Sequence, residues 1–271
     1  MTVSKYNDIV VANMQFTELS DSNRITSQKI SFINYNGMNM MLQTPTLISE
    51  AYGIPRKGEF YKEDKTRNFY KLPFCHERKQ QEDVRYDQVE AFYTKLREID
   101  MRCSSVEFRK QMFGDKFDKY RYSPLVREAS NEEEDQVASA SYKPPYTKLK
   151  IPLDYRTQKP LVNIRDGLTK ETKEVDTIDD CAQYLGYMSK VRFIIHFNKF
   201  YLMKTSVANG QKQYGITLAI KHVEFFQKPQ QQPQHYMNTI AFLEDDDQDE
   251  KPSKGTRITR KSSPGQVDIG M

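Results

Sequence analysis

The sequence predicts a mainly β fold: an OB-type small barrel with one prominent inserted helix and a disordered C-terminal tail. Three observations carry this expectation. Residues 190–226 hold two long runs that alternate apolar and polar side chains, the signature of strands with one buried face. Asn36-Gly37 and Asn209-Gly210 interrupt such runs and supply the positive φ angles that a tight reversal needs. Between residues 82 and 103 the period changes, and Val89, Phe92, Leu96, Ile99 and Cys103 recur at steps of three and four, one stripe of an amphipathic helix.

In chain order, residues 1–27 are polar with a few apolar positions (Ile9, Val10, Val11, Phe16) and read as an arm, irregular or with one short strand. A domain follows over 28–228. QKISFINYNGMNMMLQTP reads as a hairpin in which Ile30 and Phe32 alternate with Lys29 and Ser31, and Met38, Met40 and Leu42 continue beyond the turn until Pro45 stops the strand. KTRNFYKLPFC, from Lys65, reads as a further strand. The helical insertion spans about 82–112, with a second piece over Ser105–Met112 ahead of Gly114, and an acidic, small-residue excursion over 127–141 has a flexible composition. Strands resume at Tyr146, where Leu149, Ile151 and Leu153 face in and Lys148 and Lys150 face out. Residues 160–167 form a short strand closed by Asp166-Gly167, and 177–185 form a short helix capped by Thr177 or Asp179. In the closing hairpin Val191, Phe193, Ile195 and Phe197 point inward, as do Ile216, Leu218 and Ile220. From residue 229 a Gln- and Pro-rich linker leads to an acidic run and then a basic one, a disordered tail to 271.

A chain of 271 residues can bury a sizeable core, but an apolar fraction of 37% and a mean hydropathy of −0.79 leave room for long polar segments. The net charge of +4 is mild; its distribution is not, since 14 Lys and Arg face 8 Asp and Glu between Tyr146 and Lys228. Three cysteines without a CxxC spacing argue against a disulfide framework or a zinc site, and the absence of a leader or long apolar run predicts a soluble intracellular protein that engages no membrane. Phosphate-cradling, nucleophile-elbow, HExxH and EF-hand spacings are missing, so the sequence predicts no enzyme, no catalytic residues and no cofactor. His76, His196, His222 and His235 are too dispersed for a metal site, although His196 and His222 fall on neighbouring strands.

What remains is an interleaving of cations with aromatic rings: Arg67, Phe69, Tyr70 and Lys71; Tyr146, Lys148 and Lys150; Arg192, Lys199, Phe200, Tyr201 and Lys204; Lys221. A single nucleic-acid strand needs a positive groove for its phosphates and flat rings for its bases, worth ~1–3 kcal/mol per base. Solvent-facing lysines that discourage edge pairing would give the same composition.

The hairpin ending in Leu42-Gln43-Thr44-Pro45, Gly53-Ile54, the inserted helix, YTKLKIPL and the final pair VRFIIHFNKFYLM and YGITLAIKHVEFF together resemble the single-stranded-DNA-binding proteins of nucleocytoplasmic large DNA viruses. That group is itself similar to the replication single-stranded-DNA-binding protein of short-tailed coliphages. The resemblance covers residues 28–228, with LQTP and the paired final strands carrying most of it. It implies an OB-fold core, no catalysis, and binding to exposed single-stranded DNA in replication, recombination or repair. Carried onto this chain, it implies contacts at Lys148, Lys150, Arg192, Lys199, Tyr201 and Lys221, with Phe69, Tyr70 and Lys71 beside them. Replication proteins and further copies of the chain are its candidate partners, RNA is an alternative ligand, and the host cytoplasm (viral factory), the nucleus and the virion are the candidate locations. The chain departs from the coliphage pattern at its end, where a basic segment follows the acidic run, so tail-mediated docking does not carry over. The alternatives are a structural or assembly protein of a large DNA virus that binds a protein through its sheet, and a metal-dependent nuclease.

Overall fold

Two strands, Lys190–Ser206 and Lys212–Gln227, run antiparallel for almost their whole length and form the spine of the molecule. The computed structural model describes residues 3–22, 27–74, 86–128, 144–206 and 210–229. Short strands tile both edges of this spine. Along the first strand Gln28–Ser31, Met41–Gln43 and Leu47–Ile48 add antiparallel, one after another. Along the second, Tyr120–Ser123, Tyr146–Lys150 and Asn163–Asp166 add parallel, again in succession. Phe69–Pro73 extends the sheet beyond Tyr146–Lys150. Among the described residues the result is a large mixed sheet of thirteen strands and a separate small sheet of three, with one long helix.

The core lies on the inner face of the spine. Phe193, Ile195, Phe197, Leu218 and Ile220 are fully covered there, and helix Tyr86–Ser104 brings Phe92, Leu96, Ile99 and Cys103 against the same cluster. Each such side chain contributes ~1.5–3 kcal/mol through burial. Ser105 caps the next helix, Val106–Phe113, by accepting from the Phe108 amide, and Gly114 ends it at φ 63°. Asp100, on the buried side of helix Tyr86–Ser104, accepts from the Tyr122 hydroxyl and the Leu125 and Val126 amides, so this helix holds segment 122–126 by polar as well as apolar contacts.

Several expectations change. Residues 3–22 are no arm: Val3–Lys5, Met14–Phe16 and Ser20–Asp21 are strands, Tyr6, Ile9 and Met14 enter the core, and Arg102 of the long helix donates to the Val11 and Met14 carbonyls. The described residues therefore share one compact unit, 1–232. Asn36 and Gly37 do take positive φ, 51° and 77°, but their turn joins Ile33–Tyr35 to Met38–Asn39 in the small sheet. Ser31, at the end of strand Gln28–Ser31 in the large sheet, is buried and donates to the Thr17 carbonyl; Ile33 and Tyr35 are buried, and Phe32 is left 52% exposed. The strand expected from Lys65 starts at Phe69; Asp64–Arg67 is a helical turn whose Arg67 is buried between Asp64 and Asp179. Thr177, with Asp180 in a reciprocal capping box, starts helix Ile178–Ala182. Arg127, placed at the head of the acidic excursion, pairs in a strand with Tyr146. The rest of that excursion from 129, the helix start at 82–85, Asn209, Cys75, His76, His235 and the tail from 230 lie outside the described residues.

Candidate functional site

The outer face of the spine is shaped by two β-bulges. In the first strand Phe197 pairs with Leu218 and Lys199 with Thr217, leaving Asn198 as the extra residue; in the second, Ile220 pairs with Ile195 and His222 with Ile194, leaving Lys221 extra. A bulge puts two consecutive side chains on one face. Buried side chains are thus odd-numbered up to Phe197 and even-numbered from Phe200, and Asn198 and Lys199 both turn outward. Lys221 and His222 do the same between Ile220 and Val223. Strict alternation would have driven Lys199 and Tyr201 into the core.

Of these turned-out residues, Asn198, Lys199 and Lys221 meet the outward face of Tyr146–Lys150 in a groove of ≈ 790 Å³. Lys148, Lys150, Lys199 and Lys221 line it with Lys65 and Arg127, and no carboxylate stands among its described lining residues. Burial, then the nearby Lys150, push the Lys199 ammonium below its ordinary pKa; burial, then Lys221, do the same to His196. In both, burial is the larger cause and the neighbouring like charge the smaller. Lys199 is fixed by its bond to Gln28 Oε1 at 3.0 Å, and the Lys148 ammonium sits 3.6 Å from the Phe69 ring centroid.

Two rings offer a flat face. Tyr201 lies against the backbone of Gly215, where a Cβ would come within 2.9 Å of the Ser123 carbonyl and 3.0 Å of the Tyr201 hydroxyl, so glycine is needed for this close approach. Tyr155, 89% exposed, stands at the groove on the loop 154–159. Asp154 Oδ1 locks that loop by accepting from the Arg156 and Thr157 amides and the Thr157 hydroxyl.

Of the nine contacts that the resemblance implies, Phe69, Lys148, Lys150, Lys199, Tyr201 and Lys221 line this groove. Tyr70 does not: it is fully buried with its ring 5.3 Å from that of Phe193. Lys71 lies over the Tyr52 and Tyr146 rings, 5.7 and 5.2 Å from their centroids, outside the groove. Arg192 pairs with Glu224 in a neighbouring hollow. Phe69 itself is covered by Lys148 and Tyr61, so it positions a cation and is no open platform. Lys65, Arg127 and Tyr155 were missed. The cue for Tyr155 was the Asp-Tyr-Arg-Thr turn that follows an apolar strand; for Lys65 and Arg127 it lay only in strand pairing.

Burial pushes the Cys103 and Cys181 thiols up to about 12, which makes them inert packing groups. Among the described residues no group of three or more His, Cys, Asp or Glu is placed to hold a metal ion, and no helix is long and apolar enough to cross a membrane.

No family model matches the chain. Over 279 aligned residues it is 25% identical to an uncharacterised protein, R505, of Acanthamoeba polyphaga mimivirus; the match covers 89% of this chain and 65% of that one. The chain thus spans just under two thirds of that relative's length. The likeness supports a viral protein.

Proposed function

We propose that the chain is a non-enzymatic, sequence-tolerant single-stranded-DNA-binding protein that acts in viral DNA replication, recombination or repair, with the spine hairpin and its flanking strands as an OB-type core. The supporting observation is the groove: six cations with no carboxylate among its described lining residues, and the exposed ring of Tyr155 and the half-buried ring of Tyr201 on the same surface. Phosphates neutralised along such a wall release their counterions, while bases stack on rings without regard to sequence. The assembly-protein alternative expects outward cations dispersed over the sheet, and the convergence of Lys148, Lys150, Lys199 and Lys221 favours the nucleic-acid reading over it.

Titration of a fluorescent oligothymidine at several salt concentrations tests this. The expected outcome is tight binding whose log–log salt slope reaches about −4, at about 0.7 for each of six neutralised phosphates. Duplex DNA of equal length should bind more weakly, because its bases cannot reach the rings. Binding that ignores salt, or equal affinity for duplex, would overturn the proposal, and magnesium-dependent loss of the oligomer would replace it with the nuclease reading. An oligouridine arm measures the preference for DNA over RNA.

A further inference from the structure

Beyond the groove, three cations converge on one carboxylate. Glu224 Oε1 accepts from Arg165 at 2.8 Å and Lys170 at 3.0 Å, and Oε2 accepts from Arg192. The Glu224 side chain is only 9% exposed, whereas the three cations keep 35–55% of their surfaces open. A buried carboxylate needs one good cationic partner. Three leave a surplus of positive charge, and the next carboxylate along, Asp166, accepts from the Leu168 and Thr169 amides.

Arg165 and Arg192 line a hollow of ≈ 390 Å³ together with Glu224 itself and the polar Gln43, Asn163, Thr172 and His222. This hollow shares Asn163 and Thr172 with a shallow depression of ≈ 670 Å³, and that depression shares Lys221 with the groove. The surface is therefore continuous from the groove, past Lys221, to Arg165. The depression between is near neutral, with Lys159, Lys173 and Lys221 against Glu174 and Asp176, so the cationic ends lie on either side of it.

We propose that the Arg165–Arg192 hollow is a second phosphate subsite, which holds the backbone of a single strand leaving the groove past Lys221. This rests on the reading of the groove as a single-strand site. Guanidinium forks match phosphate oxygens two at a time, and Glu224, which draws both forks to one point, is the anion that a phosphate competes with.

The test is a series of oligothymidines from about 4 to 20 nucleotides, spanning short and long site sizes, against wild type, Arg165→Gln and Glu224→Gln. Wild type should gain affinity with length until the strand reaches both subsites. Arg165→Gln should match wild type on short oligomers but lose about 3- to 10-fold on long ones, with a salt slope smaller by about 0.7. Glu224→Gln, which removes the competing anion and keeps the shape, should gain affinity on long oligomers alone. If Arg165→Gln is too unstable to assay, Glu224→Gln decides. The inference falls if long and short oligomers are affected alike, if neither variant changes binding, or if wild type shows no gain with length. Failure of wild type to bind at any length overturns the reading of the groove itself.

Discussion

Lys199 shows how one residue is made useful by its surroundings. Half-buried among like charges, it would gain from any anion laid beside it, because a phosphate relieves both the repulsion from Lys150 and the cost of burial. Glu224 is the opposite case. Despite the cost of its burial, the bonds from Arg192, Lys170 and Arg165 hold its carboxyl down at about 2, against 4.5 in an unfolded chain. A carboxylate depressed in this way stabilises the fold fully above pH 4.5, and that contribution drains away as the pH falls from 4.5 towards 2. Urea melts as a function of pH should therefore show Glu224→Gln less stable than wild type at neutral pH, with the two curves converging over that acid window. Parallel curves down to pH 2 would show that the three cations contribute nothing through this carboxylate.

At the scale of elements, the bulges and the 154–159 loop decide what the groove presents. Sequence periodicity placed both long strands and their inward residues, and it identified most of the groove's lysines, because apolar alternation survives in any strand with one buried face. It did not show the bulges, although Phe-Asn-Lys-Phe and Ile-Lys-His-Val each space apolar residues three apart, the trace that a two-residue turn-out leaves in a strand. Tyr70 is expected among the contacts as a ring beside cations, but strand alternation opposite Lys71 and its pairing with Leu149 turn it inward. Tyr155 offers a direct readout of its loop. The chain contains no Trp, so Tyr155→Trp introduces a single indole at the groove. Its fluorescence should be quenched on adding oligothymidine and recover in high salt, and Tyr155→Ala should weaken binding about 5- to 150-fold, the worth of one ~1–3 kcal/mol base stack. An indole blind to oligomer that nonetheless binds would remove Tyr155 from the site.

For the whole molecule, the long helix and the groove lie on opposite accounts of the same sheet: the inner face supplies cohesion and the outer face supplies charge. Leu96→Ala, at the centre of the helix stripe, should cost about 2–5 kcal/mol of stability, read as a lower denaturation midpoint. The salt slope of oligothymidine binding should stay unchanged as long as the protein is folded. A changed slope would mean that core and groove are not separable in this way. By itself the sequence determined the spine, the helix with its buried stripe and the basic character of the final strands, since each follows from local period, turn chemistry or composition. The tertiary structure alone decided which cations share a groove, which aromatic rings stay open and where Arg192 goes. Those outcomes depend on pairings such as Lys150 with Ala219 and Arg192 with Glu224, and on the bulges at Asn198 and Lys221, and such long-range registers leave little trace in any single stretch of chain.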